Sequence, residues 1–150
     1  MLNWQWHTFN ELTQQELYEV LRLRAEVFIV EQKCVWQDID NQDQNARHLL
    51  GKLDNKLVAY LRVLPPNPDY GDWMSIGRVI TAAQARGMGL GKQAMNEALR
   101  YLKEHRNNKP VVISAQTYLE KFYREFGFQS EGERYDEDGI EHIRMRLATA

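Results

Sequence analysis

The sequence predicts an α/β (α+β) fold with a mixed, twisted sheet of six to seven strands and helices on both faces. Three observations support this class. Several short segments alternate apolar and polar residues, as half-buried strands do, and two longer segments repeat apolar residues at helical spacing. A strand, a glycine-rich loop, a helix and a second strand also follow one another, which requires a parallel pair. The predicted order is β α β β β α β α β β.

The first half of the chain predicts three strands and one helix. The strands cover residues 3–8, 47–53 and 56–64. A helix over residues 14–29 begins at Thr13, whose spacing to Glu16 is that of a capping box. Asp54-Asn55 separates the second strand from the third and predicts a hairpin turn.

The second half predicts four strands and two helices. The strands cover residues 73–81, 111–115, 128–135 and 140–147, with the hairpin signal Asp138-Gly139 between the last two. The first helix, over residues 89–104, places its apolar residues on one face. A short helix over 118–126 begins at a second capping box, formed by Thr117 and Glu120, and ends at Gly127.

The stretch from Gln84 to Gly91 carries three alternating glycines directly before a helix, with Arg86 near its head. It contains no Ser, Thr, Asp or Asn to cap that helix, so the first helical amides need acceptors from outside the segment. A phosphate is such an acceptor, because a helix start offers several N–H groups and the positive end of the helix dipole. The alternative is a tight turn whose amides are bound by water.

Two familiar phosphate motifs do not fit this stretch. A P-loop would need Ser or Thr where Gln93 stands, and a dinucleotide fingerprint would need a third glycine where Lys92 stands. The pattern that remains is R-x-x-G-x-G, carried by Arg86, Gly89 and Gly91.

Size and composition fit a globular protein, and we expect residues 1–150 to form a single domain. The net charge of −2 gives no reason to expect nucleic acid or an anionic membrane as a partner. No apolar run approaches the ~20 residues of a membrane span, and the N-terminal residues carry no signal core. We therefore expect a cytoplasmic protein. The single cysteine, Cys34, excludes an internal disulfide.

Arg24 lies on the apolar stripe of the first predicted helix. A buried arginine needs a partner, so we expect either a pair with Glu31 or a nearby aspartate, or a contact with a substrate carboxylate. The acidic segment over residues 32–46 follows, and its aspartates are Asp38, Asp40 and Asp43. Because it imitates a calcium loop only superficially, we expect a solvated loop and no metal site.

Two separated motifs resemble those of the GCN5-related N-acetyltransferase (GNAT) superfamily. The R-x-x-G-x-G motif over residues 86–91, with the strand over 78–81 before it, is similar to that family's acyl-CoA pyrophosphate loop and central strand. The run Phe-Tyr-Arg-Glu-Phe-Gly-Phe over 122–128 is similar to the family's F-Y-x-x-x-G-F signature. Residues 23–32, the acidic segment and His48 further resemble the ElaA-type subgroup of bacterial acetyltransferases.

The resemblance implies a GNAT-like fold that binds acetyl-CoA. The strand that ends at Thr81 and the strand near Ala115 would splay apart, helped by a bulge near Gly77, and the pantetheine arm would enter the gap. The implied cofactor-binding residues are Val79, Ile80, Thr81, Arg86, Gly87, Met88, Gly89, Leu90, Gly91 and Gln116. Gln116 stands where many members carry asparagine, and the bulkier Leu119 replaces an alanine.

The resemblance also implies direct transfer of the acetyl group to a primary amine of a small molecule or peptide. Tyr123 matches the family's general acid, which protonates the departing thiolate, although its helical spacing also fits a core aromatic. A base must deprotonate the amine. The candidates are Glu31, Asp40, His48 and His142. The alternative function is a non-catalytic acyl-CoA-binding sensor or interaction module, and the exposed strands leave room for a homodimer.

Overall fold

The computed structural model of the protein describes residues 1–148, which form two sheets and three α-helices. The strands are β1 (Leu2–Thr8), β2 (Arg47–Leu53), β3 (Lys56–Leu64), β4 (Ser75–Thr81), β5 (Val112–Gln116), β6 (Phe128–Glu137) and β7 (Ile140–Leu147). The helices are α1 (Gln14–Arg24), α2 (Leu90–His105) and α3 (Glu120–Arg124), with a π-helical segment over Ala25–Glu31. Within this described part, no helix is long and apolar enough to cross a membrane.

The two sheets diverge from a single point of contact. One has the order β1-β2-β3-β4 and the other β5-β7-β6, and neighbouring strands in both are antiparallel. They meet where Met74 donates to Pro110 and accepts from Val112, at 2.9 Å each, in a parallel bridge. The predicted order and splay are confirmed. The α/β class is confirmed as well, and the seven strands are divided between two sheets because the residues just before β4 and β5 pair only at this bridge.

A bulge in β4 accounts for part of this divergence. Tyr60 pairs with Ile80 and Arg62 pairs with Gly77, so the two residues between Gly77 and Ile80 oppose one residue of β3. Arg78, inside this bulge, has a φ of +54°. The bulge lies beside Gly77, as predicted, but the left-handed conformation falls on Arg78. An extra residue in one strand bends that strand, and here it bends β4 away from β5.

The two long helices cover opposite faces of the four-stranded sheet. The residues of α1 and its continuation, Val20, Leu23 and Val27, pack with Leu50, Tyr60 and Ile80. The buried face of α2, Ala94, Met95, Ala98 and Leu102, packs with Leu49, Leu61 and Val63. Successive residues of a strand point to opposite faces, which is why neighbours such as Leu49 and Leu50 serve different helices. The predicted faces are confirmed.

The first helix changes geometry partway along its length. Its capping box is confirmed, since Glu16 N donates to Thr13 Oγ1 at 3.0 Å and Thr13 N donates to Glu16 Oε1 at 2.9 Å. After Arg24 the backbone continues as a π-helix through Glu31. Such segments are rare and are found mostly at functional sites. Here the segment carries Glu31 to the edge of the gap between the sheets.

The second predicted capping box is wrong. Thr117 lies in a 3-10 turn and its hydroxyl donates to Glu141 Oε1 at 2.9 Å, while α3 begins after Leu119 with no side-chain cap among residues 1–148. Thr117 does not cap α3 because β7 lies beside it and supplies Glu141 as a hydrogen-bond partner. Gly127, with a φ of +95°, ends this region as predicted.

Candidate active site

The gap between β4 and β5 forms a cavity of about 720 Å³. Most residues predicted to act at the site contribute to its lining: Glu31, Asp40, Val79, Ile80, Thr81, Arg86, Gly91, Gln116, Tyr123 and His142. The lining does not include Arg24 and His48, nor the loop residues Gly87, Met88, Gly89 and Leu90, which directly precede Gly91. The divergence of the sheets therefore brings together residues that are more than 100 positions apart in sequence.

The glycine-rich loop leaves the first amides of α2 without a protein acceptor among residues 1–148. The first backbone bond of the helix runs from Gln93 N to Gly89 O at 3.2 Å, and no side chain in the described residues caps it. Gly87 and Gly89 have φ values of +87° and +75°, in the region that favours glycine. A Cβ at either position would meet no atom within 4 Å, so the loop is open on its outer side. These amides suit an external anion.

Arg86 is held by Glu31 at the edge of this loop. The two guanidinium nitrogens lie 2.9 and 2.7 Å from the two carboxylate oxygens, and Arg86 Nε donates to Thr81 O at 3.3 Å. Both side chains are more than 40% exposed. Hydrogen bonds from Arg86 lower the pKa of Glu31 from its usual value. An anion on the loop would therefore compete with Glu31 for Arg86.

Tyr123, on α3, contributes to the lining of the cavity. It is 8% exposed, and its ring packs edge-on against Phe122 and Phe128 at 5.2 and 6.2 Å. Burial, with a smaller effect of Tyr118, raises the pKa of Tyr123 to about 12. The hydroxyl makes no hydrogen bond to another side chain within residues 1–148. It is therefore a protonated donor available to a bound molecule.

Gln116 and Gln32 approach each other across the cavity. Each amide donates to the other, at 3.5 and 3.4 Å. These are long, weak bonds. Gln116 ends β5 and Gln32 follows the π-helical segment, so the pair bridges the two walls and is easily opened by a bound molecule.

His142 lies on β7 with its imidazole in a fixed orientation. Nδ1 is 2.7 Å from Ile140 O, and because a carbonyl oxygen only accepts, Nδ1 is the donor. Nε2 is then directed toward the Glu137 carboxylate, 3.3 Å away. The ring stacks on that of Tyr135, with 6.1 Å between the two ring centroids. Sequence reasoning identified His142 but not Glu137.

His48 does not reach the cavity, which corrects its candidacy as the base. His48 lies on β2 and is buried. Its Nε2 is 2.9 Å from Asp43 O, and its Nδ1 is 2.6 Å from Tyr60 Oη. Nε2 donates to the carbonyl, so Nδ1 accepts from the tyrosine hydroxyl. Burial lowers the pKa of His48, and the imidazole has both nitrogens occupied.

The prediction of a solvated acidic loop is wrong. Its side chains meet three arginines in a buried arginine–aspartate network, whose members are Arg24, Arg62, Arg78, Asp38, Asp40 and Asp43. Asp38 and Asp43 are only 4% and 5% exposed. Among residues 1–148 no group of three or more His, Cys, Asp or Glu side chains is arranged to hold a metal ion.

Arg24 belongs wholly to this network. It is fully buried, with Nε 2.9 Å from Asp38 Oδ2 and Nη1 2.7 Å from Asp43 Oδ1. The expected contact with a substrate carboxylate is corrected accordingly, since no part of the guanidinium reaches the cavity. The structure instead confirms the other alternative, a pair with nearby aspartates, here Asp38 and Asp43.

Two members of the network were missed by sequence reasoning. Arg62 is buried in β3 and binds Asp40 and Asp43 at 2.5 and 2.8 Å. Arg78 binds Asp38 at 2.8 Å and lies over the Trp36 ring at 4.5 Å, in the cavity wall. One signal was available: an arginine inside an otherwise apolar strand needs a buried acid, as was argued for Arg24.

The network also limits what Asp40 can do in the cavity. Burial alone would raise the pKa of Asp40, but hydrogen bonds and charge from Arg62 and Arg78 outweigh it and hold the pKa at about 2. A carboxylate with so low a pKa has little affinity for a proton at neutral pH. Asp40 therefore lines the cavity as a fixed negative charge.

Comparison with known proteins agrees with this geometry. The acetyltransferase (GNAT) domain model matches residues 9–149. Protein ElaA of Escherichia coli is 44% identical over 147 residues, 97% of this chain and 95% of ElaA. A UPF0039 protein of Synechocystis is 43% identical over 145 residues, 96% of this chain and 94% of that protein.

Solved structures give the same result. The crystal structure of an acyl-CoA N-acyltransferase from Pseudomonas aeruginosa superposes with a TM-score of 0.92 at 43% identity, covering 99% of this chain and 100% of that one. The crystal structure of E. coli ElaA gives a TM-score of 0.91 at 42% identity, with the same coverage.

Proposed function

Since the chain belongs to the GNAT acetyltransferase family, we propose that it is an acetyl-CoA-dependent N-acetyltransferase. It transfers the acetyl group directly to a primary amine of a small molecule or peptide. Residues 1–150 form a single N-acetyltransferase domain. One observation supports this function above all others. The cavity between the diverging strands reaches from Arg86 and Gly91, which flank the loop of open amides, to the buried Tyr123.

The acyl donor would lie along β4. This strand is hydrogen-bonded to β3 on one side, and beyond Met74 its other side has no partner strand in the described residues. An amide-containing arm such as pantetheine can bond to such an edge as an added strand does. The backbone at Val79, Ile80 and Thr81 would hold it, with Gln116 on the opposite wall.

The pyrophosphate would bind the amides of residues 87–91. Charge-assisted hydrogen bonds contribute about 1.5–3 kcal/mol each, so three or four of them would anchor the donor. Arg86 would exchange Glu31 for the phosphate oxygens, since it already sits at the edge of the loop. Gly91 faces inward, because its Cβ would lie 3.6 Å from Phe122, and a larger residue there would narrow the cavity.

An acetyl thioester supplies an electrophilic carbonyl carbon and a sulfur leaving group. Tyr123 donates its hydroxyl hydrogen to that sulfur as the C–S bond breaks. With a pKa of about 12 for Tyr123 and about 8.5 for an ordinary thiol, complete proton transfer is uphill by roughly 5 kcal/mol. Tyr123 therefore acts chiefly as a hydrogen-bond donor until the acceptor nitrogen returns a proton to it.

The acceptor amine poses the second proton problem. A lysine-like amine has a pKa of about 10.4, so its neutral form costs roughly 4–5 kcal/mol at pH 7 and a base must assist. Three of the four candidates are otherwise engaged: Glu31 by Arg86, Asp40 by two arginines, and His48 by burial. The fourth, His142, lines the cavity, and its Nε2 lies 3.3 Å from the half-exposed Glu137 carboxylate.

Thiol release from acetyl-CoA tests the proposed function. The full chain is incubated with a panel of primary amines that includes polyamines, amino acids and lysine-containing peptides, and calorimetry measures coenzyme A binding in parallel. We expect binding and turnover with at least one amine, and loss of turnover in Tyr123→Phe. Binding without turnover on any amine would instead support the acyl-CoA sensor.

A further inference from the structure

We propose that His142 is the general base of this reaction and that the Glu137 carboxylate stabilises its protonated form. The inference rests on the proposed acetyl transfer and assigns to a named pair the proton transfer that the family resemblance leaves open. His142 is buried to 93% yet contributes to the cavity wall, so its imidazole is shielded from bulk water but open to a bound amine.

The tautomer of His142 is fixed by its own strand. Nδ1 donates to Ile140 O at 2.7 Å, which leaves the lone pair of the neutral ring on Nε2. A general base needs that lone pair on the nitrogen that faces its substrate. The stacking of the ring on Tyr135, at an interplanar angle of 21°, holds it in this orientation.

Glu137 complements the protonated ring rather than the neutral one. The lone pair of Nε2 and the carboxylate, 3.3 Å apart, are both acceptors, so they attract each other only when a proton lies between them. Once His142 has taken a proton, Nδ1 donates to Ile140 O and Nε2 to Glu137. The surroundings thus stabilise the product of proton abstraction, which lowers its barrier.

Glu137 is also able to move aside. Its side chain is 50% exposed at the end of β6, whereas His142 is held by Ile140 O and by the Tyr135 ring. Glu137 also lines the cavity, so its carboxylate is available as a counterion to an ammonium group bound there. The carboxylate and Nε2 then bracket the nitrogen that must lose its proton.

The proton transfers balance as follows. His142 Nε2 takes one proton from R–NH₃⁺, and the lone pair released on nitrogen forms the C–N bond to the acetyl carbon while the C–S bond breaks. Tyr123 hydrogen-bonds to the sulfur and gives it a proton. The nitrogen loses its second proton to the tyrosinate, and His142 returns its proton to solvent.

Other ionisable groups surround the ring. Glu137 and Tyr135 face it from β6, Asp138 lies in the adjoining turn, and Cys34 donates to Asp138 O at 2.9 Å from the acidic segment. On β7 itself, Arg144 lies over the Trp73 ring and pairs with Glu131, away from the cavity. Of these groups, Glu137 is the one within 4 Å of Nε2 as an ion-pair partner.

The test compares His142→Gln with the wild type, using the most active amine of the panel, from pH 6.5 to pH 10. Glutamine keeps a polar side chain but cannot act as a base. We expect kcat/KM to fall about 10²- to 10⁴-fold at pH 7 and the loss to shrink toward pH 10, where the amine is already neutral. Glu137→Gln should lower kcat by a smaller factor than His142→Gln does and leave coenzyme A affinity unchanged, because the protonated ring loses its ion-pair partner.

The matched control is His105→Gln, an exposed histidine at the end of α2. It should keep wild-type kcat/KM, and calorimetry should show that coenzyme A binding is unchanged in all three variants. A loss of equal size at every pH, or activity of His142→Gln within about threefold of the wild type at pH 7, would overturn the assignment of His142 alone. No turnover by the wild type on any amine would overturn the acetyl transfer and this base together.

Discussion

Tyr123 combines two properties that a side chain in a packed core seldom shows. It is nine-tenths buried among aromatic rings, yet it contributes to the lining of the cavity. We expect Tyr123→Phe to lower kcat by about 10²- to 10⁴-fold, because the departing sulfur loses its donor. Coenzyme A affinity should stay within about twofold, since the ring and its packing remain. Steady-state kinetics and calorimetry measure the two effects.

Tyr18→Phe is the matched control, because Tyr18 is exposed on α1 and is not part of the cavity lining. It should leave kcat unchanged. An unchanged kcat in Tyr123→Phe as well would remove Tyr123 from the chemistry and return it to a packing role.

The ion pair of Glu31 with Arg86 sets the state of the donor site before coenzyme A arrives. We expect Glu31→Gln to tighten coenzyme A binding by about two- to fivefold, because Arg86 no longer has to leave a carboxylate. Arg86→Gln should weaken it. The difference between Glu31→Gln and the wild type should diminish at 0.5 M salt, since exposed charges are screened. Weaker binding in Glu31→Gln would contradict this competition.

At the scale of elements, the proposed binding of the pyrophosphate depends on the backbone geometry of the loop before α2. We expect Gly89→Asp to abolish coenzyme A binding, because it places a negative charge beside the amides proposed to hold the pyrophosphate. Calorimetry measures the binding, and circular dichroism verifies the fold. A side chain meets open space at this position, and aspartate tolerates the left-handed conformation of Gly89 better than most residues do, so the variant should fold.

Gly89→Asn is the matched control for charge. Asparagine has nearly the same shape as aspartate and tolerates the left-handed conformation that Gly89 adopts at φ +75°. We expect it to weaken binding far less than aspartate does. Equal losses in the two variants would show that bulk or loop conformation, rather than charge, controls this site.

The arginine–aspartate network ties the acidic segment to α1 and to the bulge of β4. We expect Arg24→Met to destabilise the protein by about 3–5 kcal/mol, because it leaves buried carboxylates without their partner. Denaturant unfolding measures this change. Arg22→Met, on the exposed face of the same helix, should cost little. A stable Arg24→Met protein with a raised KM for the acceptor would instead revive a contact between Arg24 and substrate.

For the molecule as a whole, this network makes stability sensitive to acid. Burial would raise the pKa values of Asp40 and Asp43, but their arginine partners outweigh it and lower both, that of Asp40 to about 2. Carboxyls whose pKa is lower in the folded state stabilise it fully above the unfolded value of about 4 and lose this effect as pH falls toward 2. We expect the free energy of unfolding to decline over this range, measured by denaturant titration.

Asp40→Asn should have a lower free energy of unfolding at pH 7 and a shallower decline below pH 4, because one of the titrating carboxyls is gone. A decline as steep as that of the wild type would show that other groups, such as Glu16 with its pKa of about 2, dominate the acid response.

The parts of the molecule that sequence predicted well are those governed by neighbours along the chain. Apolar periodicity gave every strand and both long helices to within a few residues, and hairpin signals gave the turns at Asp54-Asn55 and Asp138-Gly139. Failures came where a distant element competed with a local preference. Thr117 binds Glu141 of β7 rather than capping its own helix, and the positive φ in β4 falls on Arg78.

The sequence by itself determined the order of elements, the buried faces and the uncapped glycine loop, because each follows from hydrogen bonding and side-chain period over a few residues. Only the tertiary structure decided which charges are buried and which face the cavity. Arg78 meets Asp38 across 40 positions, and His142 shares a cavity with Glu31. Such pairings depend on how β4 and β5 diverge. The alternation of apolar and polar residues in a strand does not reveal whether that strand pairs with its neighbour or separates from it.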